Sequence, residues 1–154
     1  MSVNYGRYYD EFEVGAVYKH QLGRTLTEFD NTLFALMTMN QNPLHIDEHY
    51  ARAQGLSGRP VVSELIFSLL TGMSVAETSG KTIANLGFDV VRFEAPMYAG
   101  DSLYGESEVL DMRESASRPD RGIVHIETRG FNQRGERVIV LRRKFLAPKS
   151  PAPT

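Results

Sequence analysis

The run "VVSELIFSLLTGMSV", residues 61–75, constrains this chain more than any other part of it. Val62, Leu65, Ile66, Leu69, Leu70 and Met73 recur at a 3.6-residue period that continues to about Glu77, which predicts a helix of about four turns. Leu and Ile cover most of its circumference, so it is a helix enclosed by other structure. It carries Ser63, Glu64 and Ser68 and falls short of the roughly 20 apolar residues that cross a bilayer. The rest of the chain must therefore supply a surface that buries it.

That surface is legible downstream. "KTIANLGFDVVRFEAPM", "DSLYGESEVLDMRES", "GIVHIETRGFNQ" and "ERVIVLRRKFLAP" are rich in β-branched and aromatic residues. They are separated by turn signals at Pro96, Ala99-Gly100-Asp101, Pro119-Asp120 and Arg134-Gly135. Val124, Ile126 and Thr128 alternate, as do Val138 and Val140, which marks strands with one inward face. Upstream, "VYKHQLGRTL" (17–26) is strand-like, and Thr27 with Asp30 forms a capping box ahead of a helix with Phe29, Leu33, Leu36 and Met37 at helical spacing. Asn42-Pro43 is expected to end that helix, "DEHYARAQ" (47–54) to form a short one, and "GLSGRP" (55–60) a loop.

Helices followed by hairpin-linked strands predict an α+β domain with an antiparallel sheet. A sheet wrapped around one long apolar helix is a single hot-dog fold. The expected organisation is one domain over 1–154, with a core from about 10 to 147 and a frayed Pro-rich tail at 148–154. Long open sheet edges are expected to pair edge to edge, giving a homodimer or an assembly of dimers.

Charge narrows the partners. A net charge of −2 and a pI near 6.1 argue against nucleic acid and anionic membrane surfaces. With no cysteine there is no disulfide or thiolate chemistry, and any metal would need His or carboxylate ligands. "MSVNYGRYYDEFEVG" lacks the basic and apolar regions of a signal peptide, and the expected location is the cytoplasm.

The densest cluster of chemistry-bearing residues is "MNQNPLHIDEHYA", 39–51. Within it "HIDEH" matches H-x-x-E-H, which would offer His45 and His49 to zinc with Glu48 as base. That reading needs one helix through 45–49 and a third ligand, and neither His20 nor His125 has a partner at metal spacing. A metal-free reading starts from Pro43, which fixes His45 at a loop–helix junction, with Asn40 at the end of the preceding helix facing the same point. One imidazole and one amide suit holding and deprotonating water. On spacing alone plain capping is the preferred account, with His45 capping Asp47 or a backbone group and Asn40 closing the helix. Pro60 adds a second feature, because it opens the apolar helix and leaves the N–H groups around Ser63 and Glu64 without intrahelical acceptors. Such a buried helix end can hold an oxyanion.

"TMNQNPLHIDEHYA", followed by "RPVV" and an apolar helix, resembles the hydratase motif of the MaoC-like dehydratases and (R)-specific enoyl-CoA hydratases. "TIANLGFDVVRFEAPMYAGDSL" and "RTLTEFDNTLF" extend the likeness over residues 10–147, closest to the mesaconyl-CoA hydratase (methylmalyl-CoA dehydratase) subgroup. The resemblance implies a hydro-lyase acting on an α,β-unsaturated acyl-CoA, with no cofactor beyond the coenzyme A of its substrate and no metal. It maps the catalytic His to His45, a substrate loop to Asn42, Pro43 and Asp47, and the oxyanion donors to Ser63 and Glu64. The family's catalytic Asp is Asn40 here, and Asp30, about 15 Å back along the helix, cannot replace it. Glu64 stands where the family more often carries Gly or a small polar residue. Arg92, Arg142, Arg143 and Lys144 are placed either to meet phosphates or a substrate carboxylate, or to face solvent. Two other functions fit the same segments: a hot-dog thioesterase using Glu64 or Asp47, and a non-catalytic acyl-CoA binding module.

Overall fold

In the computed structural model the strands are β1 (Val17–Lys19), β2 (Arg24–Thr25), β3 (Ala84–Phe93), β4 (Ser102–Glu114), β5 (Arg121–Phe131) and β6 (Arg137–Pro148). The helices are α1 (Glu28–Met37), α2 (Pro43–Ile46), α3 (Glu48–Ala53) and α4 (Ser63–Met73). The structure describes residues 5–152; residues 1–4 and 153–154, which hold the start of the N-terminal stretch and the end of the proline-rich tail, lie outside it.

The strands form one antiparallel sheet in the order β1-β4-β5-β6-β3, with β2 pairing to β4. α4 is the predicted apolar helix, and after Ser74 the chain continues as a π-helical turn, Val75–Ser79. It buries Leu65, Ile66 and Leu70 against Leu103, Ile139 and Leu141 of the sheet. Two paired glycines let it approach. A Cβ on Gly105 would sit 2.5 Å from the Leu70 side chain, and one on Gly130, its partner across β4 and β5, would sit 3.0 Å from it. Any side chain there would lift the helix off the sheet. A second cluster, Phe12 with Val109, Val124, Ile126 and Phe145, fills the other end.

Enclosure of α4 is one-sided within the chain: Glu64, Ser68 and Gly72 are exposed, and Phe67, Leu69 and Met73 are only partly covered. In β5 the expected alternation holds, with Val124, Ile126 and Thr128 buried. In β6 it does not, because Val138 to Leu141 are all buried. Pro148 still belongs to β6, and Ser150 N–H donates to Asp10 Oδ1 at 2.7 Å, so the chain is held past the first proline of its tail.

α1 departs most from its sequence pattern. The capping box forms, with Thr27 Oγ1 accepting from Asp30 N–H and an Asp30 carboxylate oxygen accepting from Thr27 N–H. Yet the apolar residues point outward, Phe29 being 71% and Leu36 73% exposed, while the buried residues are Asn31 and Ala35. Asn42-Pro43 does not end this helix. It stops earlier, with Met39 in the left-handed region at φ 56° and two closing bonds, Met39 N–H to Leu36 C=O and Asn40 N–H to Ala35 C=O. Asn42-Pro43 instead starts α2, Asn42 Oδ1 accepting from Leu44 N–H with Pro43 as the first helical residue.

Behind the sheet's β1 edge, His20 is buried, its Nε2 3.0 Å from Ser107 Oγ, which lies 2.8 Å from Thr128 Oγ1. Burial lowers its pKa, Glu77 and Glu106 oppose that, and Arg143 reinforces it. The unfolded chain thus takes up a proton near 6.5 that the native chain refuses until lower pH. Stability should fall as pH drops from about 6.5 toward the native value and then level off. Urea unfolding midpoints across that range test this, and His20→Gln should remove that part of the slope.

Candidate active site

α2 is a single turn, and it carries the base candidate. His45 N–H donates to Asn42 C=O at 3.0 Å, closing the turn that Asn42 opens. Its ring is fixed from another segment: His45 Nδ1 lies 2.9 Å from Pro60 C=O. A carbonyl only accepts, so in the neutral ring the proton sits on Nδ1 and Nε2 keeps its lone pair. Pro60 is itself anchored by a bridge to Tyr98, and next to it Val61 N–H donates to Met97 C=O at 2.8 Å. His45, Pro60 and Ser63 line one cavity of about 290 Å³ with Ile66, Ala95 and Met97.

The N-terminus of α4 forms part of that wall. Of its first free N–H groups, Val62's is taken by Asn31 Oδ1 at 2.9 Å and Leu65's by Val62 C=O at 3.0 Å. Among the described residues no acceptor takes those of Ser63 and Glu64, and Val62, the N-cap, has no capping side chain. Two donors at the positive end of an eleven-residue helix, beside His45, can stabilise negative charge on a carbonyl oxygen.

Asn40 stands on the loop that leads from α1 to His45. Asn40 and Glu64 line a different cavity of about 250 Å³, with Phe34, Thr38 and Val62. Asn40 Oδ1 accepts from Asn42 N–H at 3.1 Å and Asn42 C=O accepts from His45 N–H, so the loop links the two residues. At the close of α1 the left-handed Met39 precedes Asn40, whose N–H returns to Ala35 C=O. Asp47 caps α3, its Oδ1 accepting from Tyr50 N–H at 2.9 Å, and is exposed. It also separates α2 from α3, so the two halves of H-x-x-E-H stand on different helices. Glu48 is held by Arg52 at 2.7 Å and by Arg59 N–H at 3.0 Å, and the latter bond leads in keeping its carboxyl below the usual range.

Basic residues divide by partner. Arg142 pairs with Glu127 at 2.7 Å, Lys144 with Asp89 at 3.1 Å and Arg92 with Glu94 at 3.8 Å. Arg143 is buried, donating to Ser74 and Ser79, with its pKa lowered to about 10 by burial. Ser74 lies about 16 Å along the helix from Ser63, beyond the reach of a short acyl group bound at the His45 cavity. Arg52, Arg59 and Arg134 went unnoticed as a group in the sequence. With Glu28, Glu48 and Asp101 they line a cavity of about 430 Å³ across the Pro60–Tyr98 bridge. Asn31, also missed, is 2% exposed; its Nδ2 donates to His45 C=O at 3.1 Å while its Oδ1 takes the Val62 N–H.

With that geometry in place, comparison with known proteins assigns the family. The family model for mesaconyl-CoA hydratase matches residues 2–153. A mesaconyl-CoA hydratase of Cereibacter sphaeroides is 32% identical over 160 residues, covering 100% of this chain and 46% of that protein. The crystal structure of a MaoC domain protein dehydratase from Chloroflexus aurantiacus superposes with a TM-score of 0.92 at 31% identity, covering 99% of this chain and 44% of the other. An (R)-specific enoyl-CoA hydratase of Aeromonas caviae is 32% identical over 124 residues, 80% of this chain and 86% of that one. The fold is the hot-dog fold of MaoC-like proteins. The chain belongs to the mesaconyl-CoA hydratase family. It spans less than half the length of the mesaconyl-CoA hydratases it matches.

Asp101, in the turn after β3, holds the wall that anchors Pro60. It accepts from Tyr98 N–H at 3.0 Å, Gln133 Nε2 at 2.6 Å and Arg134 Nη1 at 2.9 Å. Burial pushes its carboxyl up, but these bonds outweigh burial and hold it below its ordinary 3.8. The stabilisation is complete above 3.8 and lost as pH falls through the lower native value. Asp101→Asn should destabilise the protein by about 1–3 kcal/mol at pH 7 and flatten the acid limb below that point, as read by denaturant unfolding.

Proposed function

We propose that this protein is a hydro-lyase that adds water to, and removes it from, an α,β-unsaturated acyl-CoA thioester. The substrate class is a branched dicarboxylic one such as mesaconyl-CoA, interconverted with β-methylmalyl-CoA. The observation that carries the reading is His45: its ring is held through Nδ1 by Pro60, its Nε2 has no partner among the described residues, and it shares a cavity with Ser63 at the start of α4. The names of the Cereibacter and Chloroflexus relatives, a mesaconyl-CoA hydratase and a β-methylmalyl-CoA dehydratase, support the substrate class.

In hydration, His45 Nε2 takes a proton from water and the hydroxyl adds to the β-carbon. The electron pair of the double bond moves toward the thioester, and the N–H groups of Ser63 and Glu64 hold the resulting enolate oxygen. The imidazolium then returns the proton to the α-carbon, which restores the neutral ring. An amide cannot be a base, so His45 alone moves the proton and Asn40 orients the water or the imidazole. Its Oδ1 holds the Asn42 N–H and so sets the loop that carries His45. Asn42 and Pro43 shape that loop and Asp47 closes it.

The reading needs no cofactor besides the coenzyme A of the substrate. It makes the protein a cytoplasmic homodimer with neither nucleic acid nor membrane as partner. β3 supports the dimer, since it ends the sheet with Leu86, Val91 and Phe93 exposed.

The test is loss of conjugated-thioester absorbance on a panel of straight-chain and dicarboxylic enoyl-CoA substrates, with a thiol reagent alongside. Absorbance should fall without release of free thiol, and mesaconyl-CoA should lead the panel. His45→Ala should lower kcat by at least about 100-fold. Stoichiometric thiol release would mean hydrolysis, and an unchanged rate in the variant would remove His45 from the chemistry.

A further inference from the structure

α1 buries an amide where an amphipathic helix would bury an apolar side chain. Asn31 is 2% exposed while Phe29, Leu36 and Met37 of the same helix are turned to the outside. Both ends of that amide are committed, and to main-chain groups of two different segments. Nδ2 donates to the carbonyl of His45 at 3.1 Å, and Oδ1 accepts the N–H of Val62 at 2.9 Å. A buried polar side chain is tolerated where every donor and acceptor it faces is matched, and each end of this amide meets its complement.

The two partners are also the two halves of the chemistry. His45 carries the base, and Val62 is the residue from which α4 begins. Asn31 is the side chain that ties the residue of the base directly to the helix end that holds the oxyanion donors. The Pro60 contact orients the imidazole ring, whereas Asn31 fixes the backbone of His45 in relation to α4. Removing the Val62 N–H from the set of free donors also leaves Ser63 and Glu64 as the open pair.

We infer that Asn31 is a positioning residue for the hydration reaction, holding the His45 backbone and the α4 N-terminus in one register. The inference rests on the hydro-lyase reading above and adds to it a residue that touches no substrate. Its chemistry is specific: a carboxylate at this place keeps an acceptor for Val62 but has no donor for His45, and an alkyl group has neither.

The experiment compares Asn31→Asp, Asn31→Ala and Asn31→Ser with the unsubstituted protein and His45→Ala on mesaconyl-CoA. Rates are taken per folded molecule at a temperature where circular dichroism shows the native fold. Misplacing a base by about 1 Å lowers turnover by roughly 100-fold. The Asp and Ala variants should therefore lose about 10- to 100-fold in kcat while KM stays within about threefold. The Ser variant, which keeps one small hydroxyl, serves if the others do not fold and should fall between. A role in stability alone would lower the melting temperature and leave kcat per folded molecule intact, which would overturn the inference. An inactive His45→Ala beside fully active Asn31 variants would reject Asn31 and spare the hydro-lyase reading. A fully active His45→Ala would reject both.

Discussion

The hydrogen bond from His45 to the Pro60 carbonyl is the contact on which the site depends. It is a bond to main chain, so it is only as well placed as Pro60 is. Pro60 is placed by its bridge to Tyr98 and by Val61 N–H on the Met97 carbonyl. That pairing is held by the turn that Asp101 caps, and the turn is joined to the end of β2 by Leu26 N–H on the Asp101 carbonyl and Gly100 N–H on the Leu26 carbonyl. Beneath it, α4 starts shortly after Pro60 and is seated by Leu70 over the paired Gly105 and Gly130. A chain of backbone bonds and one close helix–sheet contact thus delivers a single imidazole nitrogen to one cavity.

Polarity within the chain serves position more than charge. Asn31, Asn40, Asn42 and Asp47 each bind backbone groups near His45, and each sets a turn or a helix start. An amide at position 40 fits that pattern, because its Oδ1 orients the loop that leads to His45. Many charged residues form compensated pairs, as with Arg59 between Glu28 and Glu48, or Arg129 among Glu106, Glu108 and Glu127. Such pairs hold loops and strand faces in place and contribute little net energy where they are exposed.

Much of this was readable in the chain itself. The apolar period of 61–77 foretold α4, alternation in 124–128 foretold β5, and Thr27 with Asp30 foretold where α1 begins, because each rests on local spacing or local chemistry. Where the reading failed, tertiary context decided. α1 turns Phe29 and Leu36 outward because the space beneath it is a polar junction that needs Asn31, and periodicity cannot tell which face meets the core. His45 stood out by its proline-fixed junction, but its partner is a carbonyl, and a carbonyl has no letter in a sequence. The left-handed Met39, which ends α1 ahead of Asn40, occupies a position that usually favours glycine, so its side chain gave no warning.

Pro60 fixes the tautomer of His45 and leaves the lone pair on Nε2. A long-range proton–nitrogen NMR correlation spectrum of the protein, recorded with the imidazole neutral, reads this directly. The geometry predicts that His45 carries its proton on Nδ1, with Nε2 showing the shift of an unprotonated ring nitrogen. A proton on Nε2 with a bare Nδ1 would contradict it.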